Sequence, residues 1–335
     1  MRQAGHAAVP TDPPGTERVP LPGPAPGPAP VAAAPRSDSG SRWQPPWRIW
    51  LLTASALVAF AANSVLCRLA LAPAAIDPLS FSTLRVVSGA LTLAMVVGVR
   101  GRRPAASPGP SWGSAGALLA YMLGFSFAYV SLTAGTGALI LFGAVQATML
   151  LAGLLAGERL APAQWAGLLL ALGGLVLLQL PGVSAPAPVG AALMAVAGVA
   201  WGLYSLRGRG NPAPLSATAA SFAGAAVPLL ALTPLLLPLL WWSAPGALWA
   251  VLSGSVTSGL GYVAWYAAVR GLTATRAAIV QLPVPVLTAI AGVIFLSETV
   301  SARLVLCGLA VLGGVALAVV GPGRAGRRQH SRRGA

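Results

Sequence analysis

The chain has no lysine: all 21 of its strongly basic residues are arginine, set against six acids, for a net charge of +15. A P-loop needs a lysine for the phosphates, so ATP-driven pumping by this chain alone is not expected. The two histidines, His6 and His330, lie close to the chain ends. No metal cluster or catalytic histidine can be assembled in the core, and no metal or other cofactor is expected. Cys67 and Cys307 are the only cysteines, and both fall in apolar segments. They read as small packing residues, not as a disulfide or a metal site. Charged residues of all kinds make up 8% of the chain, where a soluble domain carries about 25%. Charge this sparse cannot cover a surface against water, so the solvent must be largely lipid.

Apolar sequence is abundant, at 56%. Between residues 47 and 321 it falls into ten segments, approximately 48–71, 78–99, 112–132, 137–156, 163–181, 188–206, 215–240, 246–269, 275–296 and 302–321. About 20 apolar residues span the roughly 30 Å of a bilayer's hydrocarbon. The expected fold is therefore an all-α membrane protein of ten transmembrane helices. The arginines orient it. Arg42 and Arg48 precede the first segment, Arg100, Arg102 and Arg103 follow the second, and Arg159 the fourth. Arg207 and Arg209 follow the sixth, Arg270 and Arg276 flank the gap after the eighth, and five more arginines follow the tenth. With ten spans all of these share one side, and the positive-inside rule places both termini in the cytoplasm. The basic charge thus belongs to loops and tails, not to a nucleic-acid face. Residues 1–46 hold twelve prolines and read as a disordered cytoplasmic tail with no secretory signal. Residues 322–335 form a basic cytoplasmic tail.

The apolar region is written twice. Residues 138–177 are echoed by 278–317 at an offset of 140: Thr148 with Thr288, Glu158 with Glu298, and Gly173-Gly174 with Gly313-Gly314. Pro78-Leu79-Ser80 is matched by Pro214-Leu215-Ser216, and Arg68 by Arg207. Each repeat is five helices, 47–182 and 183–321. An odd number inverts the second copy relative to the first, an architecture that places a solute between the halves near the midplane.

Few residues within the segments can carry chemistry. A membrane-buried ionisable group costs about 2.5–3.5 kcal/mol on insertion scales, which singles out Arg85. It reads either as a fork for an anionic group on a solute or as a structural arginine. Arg68 lies near a helix end, with Asp77 as a candidate partner, and its structural reading is favoured. Glu158 and Glu298 sit in turns and read as caps for the fifth and tenth segments. No acid or histidine lies at the midplane, so a buried proton relay is not expected. Candidate cavity-wall residues are Asn63, Tyr129, Gln146, Trp201, Tyr204, Tyr262, Trp265, Tyr266 and Gln281, with helix–helix hydrogen bonding as the alternative for each. Pro283 and Pro285 read as a break in the ninth segment beside Gln281, opposite Gly143 of the first repeat. Trp241 and Trp242 read as an interfacial belt.

Several motifs carry a resemblance over residues 48–321: Gly157-Glu158-Arg159-Leu160, Ser297-Glu298, the two glycine pairs, Arg85 in Ser82-Thr83-Leu84-Arg85, and Trp201-Gly202. Together they resemble the EamA-type branch of the drug/metabolite transporter superfamily. That family often has Trp-Gly in the first segment, where this chain has Ala62-Asn63. The resemblance implies an inner-membrane secondary transporter of small metabolites, often an exporter of amino acids or related compounds. The expected partners are a small-molecule substrate and the lipid bilayer, with a homodimer left open and no nucleic acid. Weighed against this are a proton-coupled antiporter, a non-transporting sensor or partner protein, and a membrane-embedded transferase. The last lacks the clustered acid and base its chemistry would need.

Overall fold

Proline sets the start of most helices. A computed structural model describes residues 46–100, 111–155, 161–180, 185–208, 211, 213–269 and 281–320. The helices are α1 (Pro46–Leu71), α2 (Pro78–Val99), α3 (Trp112–Tyr129), α4 (Ala134–Leu155), α5 (Pro162–Gln179) and α6 (Pro188–Gly208). They continue as α7 (Pro214–Leu236), α8 (Ala244–Leu252), α9 (Gly261–Val269), α10 (Pro283–Leu296) and α11 (Ala302–Val320). Pro78, Pro162, Pro188, Pro214 and Pro283 each open a helix, where the missing N–H would have no intrahelical partner anyway. Side-chain caps complete several starts. Asp77 accepts from the Leu79 and Ser80 amides at 2.9 and 2.8 Å, and Ser111 and Ser243 cap α3 and α8.

Among the described residues, six helices are long and apolar enough to cross a membrane: Trp50–Leu71, Pro78–Val99, Ala134–Leu155, Pro188–Gly208, Pro214–Leu239 and Ala244–Ala268. Three apolar helices are shorter, Pro162–Leu178, Pro283–Leu296 and Ala302–Leu317. Large apolar side chains such as Leu91, Met95, Leu155, Ile294 and Phe295 stand exposed on the outside, as lipid-facing residues do.

Two segments are irregular. Gln281 is helical, Leu282 is a turn and α10 begins at Pro283, so the ninth segment is interrupted beside Gln281, with Pro283 and Pro285 in the first turn of α10, where backbone amides are free in any helix. The expected preceding residues of that segment, 275–280, lie outside the described residues, as do both tails, Glu158 and the loop arginines Arg102, Arg103, Arg159, Arg209, Arg270 and Arg276. The eighth segment is not one regular α-helix. A π-helix, Ser253–Leu260, joins α8 to α9. Two further prolines, Pro228 and Pro234, lie inside α7.

The duplicated glycines explain one contact. The last helices of the two repeats, α5 and α11, pack against each other. A Cβ on Gly174 would stand 3.0 Å from the Ala310 Cβ, and one on Gly314 would stand 2.6 Å from the Gly167 carbonyl oxygen and the Ala171 nitrogen. Each helix crosses its partner at the partner's glycine. Gly173 and Gly313, their sequence neighbours, face open space. In the same way Gly198 of α6 lets that helix approach α4, where a Cβ would fall 2.6 Å from the Leu141 carbonyl oxygen.

Candidate functional site

Arg85 lies in α2 with none of its surface exposed. Its Nε donates to the Ser258 hydroxyl and its Nη2 to the Tyr121 hydroxyl, both at 3.2 Å. The guanidinium carbon stands 4.8 Å from the Phe125 ring centre and 5.4 Å from that of Tyr121. Nη1 is buried with no partner among the described residues. The two described acids are engaged elsewhere, Asp77 at the α2 cap and Glu298 with Arg68. A desolvated cation–π contact contributes about 2 kcal/mol, and a buried ion loses several kcal/mol of hydration. Among the described residues, rings and hydroxyls therefore leave the charge under-compensated, and the region around Arg85 is a buried positive spot.

The π-helix builds the other side of this spot. Its sequence, Ser253-Gly254-Ser255-Val256-Thr257-Ser258-Gly259-Leu260, is small and polar where the flanks are apolar. A Cβ on Gly254 would fall 2.8 Å from the Arg85 carbonyl carbon, so only glycine permits the close approach of α2. The extra residue per turn swings Ser253, Thr257 and Ser258 inward. Asn63 Oδ1 accepts from Ser253 at 2.6 Å and from Thr257 at 3.1 Å, while Ser258 meets Arg85. One irregular turn of the second repeat thus holds both polar residues of the first. Irregular helical turns of this kind recur at functional sites.

Between these groups lies a cavity with room for about 20 Å³ of water, enough for a single molecule. Asn63, Ser258, Tyr121, Trp201, Tyr262 and Phe60 line it. The Trp201 ring stands 4.9 Å from Tyr121 and 5.1 Å from Tyr262. The Tyr262 hydroxyl is buried without a partner among the described residues. Tyr262 Oη at the cavity wall and Arg85 Nη1, behind Ser258 and Tyr121, are both left unsatisfied among the described residues, a condition costing about 1–3 kcal/mol each. Larger hollows of about 460 and 590 Å³ flank α10, but their walls are almost wholly apolar and offer nothing to recognise a polar solute.

One helical turn beyond Trp201 and Tyr262 come Tyr204 and Tyr266. These two line a second hollow of about 320 Å³ with Arg207, Asn211, Thr218 and Ser221. Trp201 and Tyr204 stack at 5.6 Å, forming the partition between the two spaces. The opposite end is sealed. Tyr129 packs on Phe125 at 4.7 Å and donates to the Ala134 carbonyl at 3.2 Å. Arg68 Nη1 donates to the Tyr129 carbonyl at 3.0 Å, and Arg68 Nε to Glu298 Oε1 at 3.0 Å. Glu298 Oε2 accepts from the Ala134 amide at 2.8 Å.

The seal corrects two expectations. Arg68 pairs with Glu298 and not with Asp77, which caps α2 and also accepts from the Trp241 amide at 3.1 Å. Glu298 caps α4 in the other repeat and not the helix that follows it, because the left-handed turn at Ser297 (φ 52°) aims it back. Of the expected wall residues, Asn63, Trp201 and Tyr262 line the small cavity, and Arg85 stands behind Ser258 and Tyr121. Tyr204 and Tyr266 line the second hollow, and Tyr129 belongs to the seal. Trp265 packs on Phe60 at 5.7 Å. Gln146 and Gln281 are buried, have partners, and line neither space. Sequence reasoning missed Phe60, Tyr121, Thr257 and Ser258. The small polar run 253–259 inside an apolar segment was the available signal for the last two.

Both halves of the chain match the EamA-like transporter family, over residues 47–180 and 188–320. The chain belongs to that family. As an EamA-like protein it is a membrane-embedded, multi-pass transporter of the drug/metabolite type. It is 53% identical over 289 residues to the uncharacterized protein PA1977 of Pseudomonas aeruginosa, a match covering 84% of this chain and 99% of the relative. A crystal structure of a protein 22% identical in sequence superposes with a TM-score of 0.59, covering 81% of this chain and 96% of that one. That likeness concerns the fold alone.

Proposed function

We propose that this EamA-like transporter is a ten-span secondary transporter that exports a small metabolite bearing an acid group, such as an amino acid or a related compound, by alternating access. It sits in the inner membrane with both termini in the cytoplasm. The observation that carries this reading is Arg85, a buried, under-compensated cation beside a cavity walled by aromatic rings. Asn63, Tyr121, Ser258 and Tyr262 would orient the polar end of the solute, and Trp201 would pack on its body. The hollow at Tyr204 and Tyr266 lies toward Arg207, on the arginine-rich side that the positive-inside rule assigns to the cytoplasm. The Arg68–Glu298 seal would then close the outer side, making this an inward-facing arrangement. The two five-helix repeats would rock about the cavity to exchange these roles.

Reconstitution into liposomes tests the reading, with a panel of acidic and amphipathic metabolites and with and without a pH gradient. Flux of an acidic solute is expected, with at least a tenfold loss in Arg85→Ala. Unchanged flux in that variant would remove Arg85 from the site, and no flux of any solute would sink the transport reading. A second reading, proton-coupled antiport, is favoured by one observation: Glu298 joins both repeats at the seal, where a proton from outside would loosen them. Flux that rises with an inward proton gradient selects it.

A further inference from the structure

We infer that Asp77 is a positioning residue of the transport cycle: its carboxylate locks a clasp between the α1–α2 loop and the α7–α8 loop, and the lock biases the protein toward the form closed on the outer side. The inference rests on the alternating access and the orientation proposed above, and adds a residue that sets the balance between the two facing forms. Four hydrogen bonds make the clasp, joining the first repeat to the second. The Asp77 amide donates to the Trp241 carbonyl at 3.0 Å and the Ser243 amide to the Ala75 carbonyl at 2.9 Å, around an antiparallel bridge between Ile76 and Trp242. The Trp241 indole Nε1 donates to the Ala74 carbonyl at 3.2 Å, and the Trp241 amide to Asp77 Oδ2 at 3.1 Å. The fit is close. Ile76 and Asp77 are buried, and a Cβ on Gly246 would stand 2.7 Å from the Ala75 carbonyl oxygen. Ala74 is held at φ 53°, a left-handed backbone that a residue with a Cβ seldom adopts. Asp77 serves both sides of the join: Oδ1 accepts from the Leu79 and Ser80 amides and starts α2, while Oδ2 holds the other loop.

The second repeat offers the matching corner at the other end of the bundle. Pro214-Leu215-Ser216 opens α7 as Pro78-Leu79-Ser80 opens α2, and Ser111 caps α3 as Ser243 caps α8. The corner between α3 and α7 therefore corresponds to the clasp. It is the hollow of about 320 Å³, with Ser111, Arg207, Asn211 and Pro214 in its wall. At the position of Asp77 stands Ala213, which has no side-chain acceptor to offer. One end is thus pinned by a carboxylate, and its counterpart stands apart. In an inverted-repeat transporter the repeats rock against each other about a fixed site, so the two ends exchange these arrangements. Opening the outer side parts the clasp and breaks its charge-assisted bond. Opening the inner side breaks no such bond at Ala213. The difference favours the outer-closed form.

Pulsed electron paramagnetic resonance on spin-labelled pairs in nanodiscs tests this without any solute, in a Cys67→Ser, Cys307→Ser background. Ala72→Cys with Leu239→Cys reports the outer end, and Trp112→Cys with Ala213→Cys the inner end; all four sites are exposed. Glu298→Gln is present in both proteins compared, so that the Arg68–Glu298 pair does not hold the outer end shut alone. The test variant is Asp77→Asn. Asparagine keeps an acceptor for the α2 cap but turns an NH2 group toward the Trp241 amide, which itself donates. The ratio of long to short outer distances is expected to rise about tenfold, the effect of losing one hydrogen bond to a charged group, with the inner pair shortening in step. An outer distribution unchanged by Asp77→Asn overturns the lock and leaves the Arg85 transport site standing. An outer pair that lengthens while the inner pair stays fixed reports local loosening of the loops and overturns the inference as well. Failure of the transport reading shows elsewhere, as absent flux in liposomes, whatever these distances do.

Discussion

Arg68 and Glu298 meet at 3.0 Å across 230 residues of chain, and the pair is the described link between the end of α1 and the turn that precedes α11. Both side chains are largely buried, 16% and 11% exposed. Glu298 also holds the first amide of α4. One carboxylate therefore ties three helix ends together, and removing it should loosen that end of the bundle more than the core.

Glu298→Gln should cost about 1–3 kcal/mol, because it leaves Arg68 with its charge uncompensated in a partly buried place. Cys67, fully buried next to Arg68 in sequence, is a built-in reporter. In a Cys307→Ser background, labelling of Cys67 by a membrane-impermeant maleimide should rise several-fold in Glu298→Gln. An unchanged labelling rate would show that the pair does not guard this end.

Glycine substitutions should split by repeat position. Gly174→Ala and Gly314→Ala place a methyl against the partner helix and should destabilise by about 1–3 kcal/mol through overpacking. Gly173→Ala and Gly313→Ala meet nothing within 4 Å and should be neutral, or stabilising by up to about 1 kcal/mol through helix propensity. Thermal unfolding in detergent reads the difference. Equal effects at all four sites would refute the crossing at Gly174 and Gly314.

Tyr121→Phe and Ser258→Ala each strand a further N–H of Arg85. With an acidic solute that the wild type transports, each should raise KM by about tenfold, the effect of losing roughly 1.4 kcal/mol of binding. The maximal rate should change less, as expected when binding is lost uniformly. A fall in rate at constant KM would instead place these hydroxyls in the conformational step.

Tyr262→Phe separates solute contact from stability. The hydroxyl has no partner among the described residues, so its loss should leave the melting temperature unchanged or raise it. Affinity for a transported acidic solute, measured by titration calorimetry, should fall about tenfold if the hydroxyl meets the solute. Lost stability with intact affinity would reverse the assignment.

The all-helical membrane fold, the doubled unit and the family were legible in the sequence, because lipid imposes length and apolarity on every spanning helix. Arg85 was legible for the same reason: a charge within such a segment is costly, so each one stands out. Its surroundings were not. The π-helix depends on one close backbone approach at Gly254, and a period-3.6 reading of residues 246–269 cannot show an extra residue per turn. Gln281 and Gln146 looked like site residues because amides are rare in lipid, yet their partners lie within the protein. The pairing of Arg68 was misread because Asp77 is nine residues away and Glu298 is 230 residues away. Sequence distance favours the former; the turn at Ser297 decides for the latter.

The crossing of α5 and α11 has a further meaning. Each helix offers the other the same glycine, so the contact is reciprocal, with the symmetry of two identical subunits meeting face to face. A half-length ancestor could form that contact only by finding a second copy in the bilayer, at a rate set by its abundance. Joining the halves in one polypeptide replaces that search with a fixed effective concentration. Assembly becomes independent of expression level, and each half is then free to lose residues the other retains.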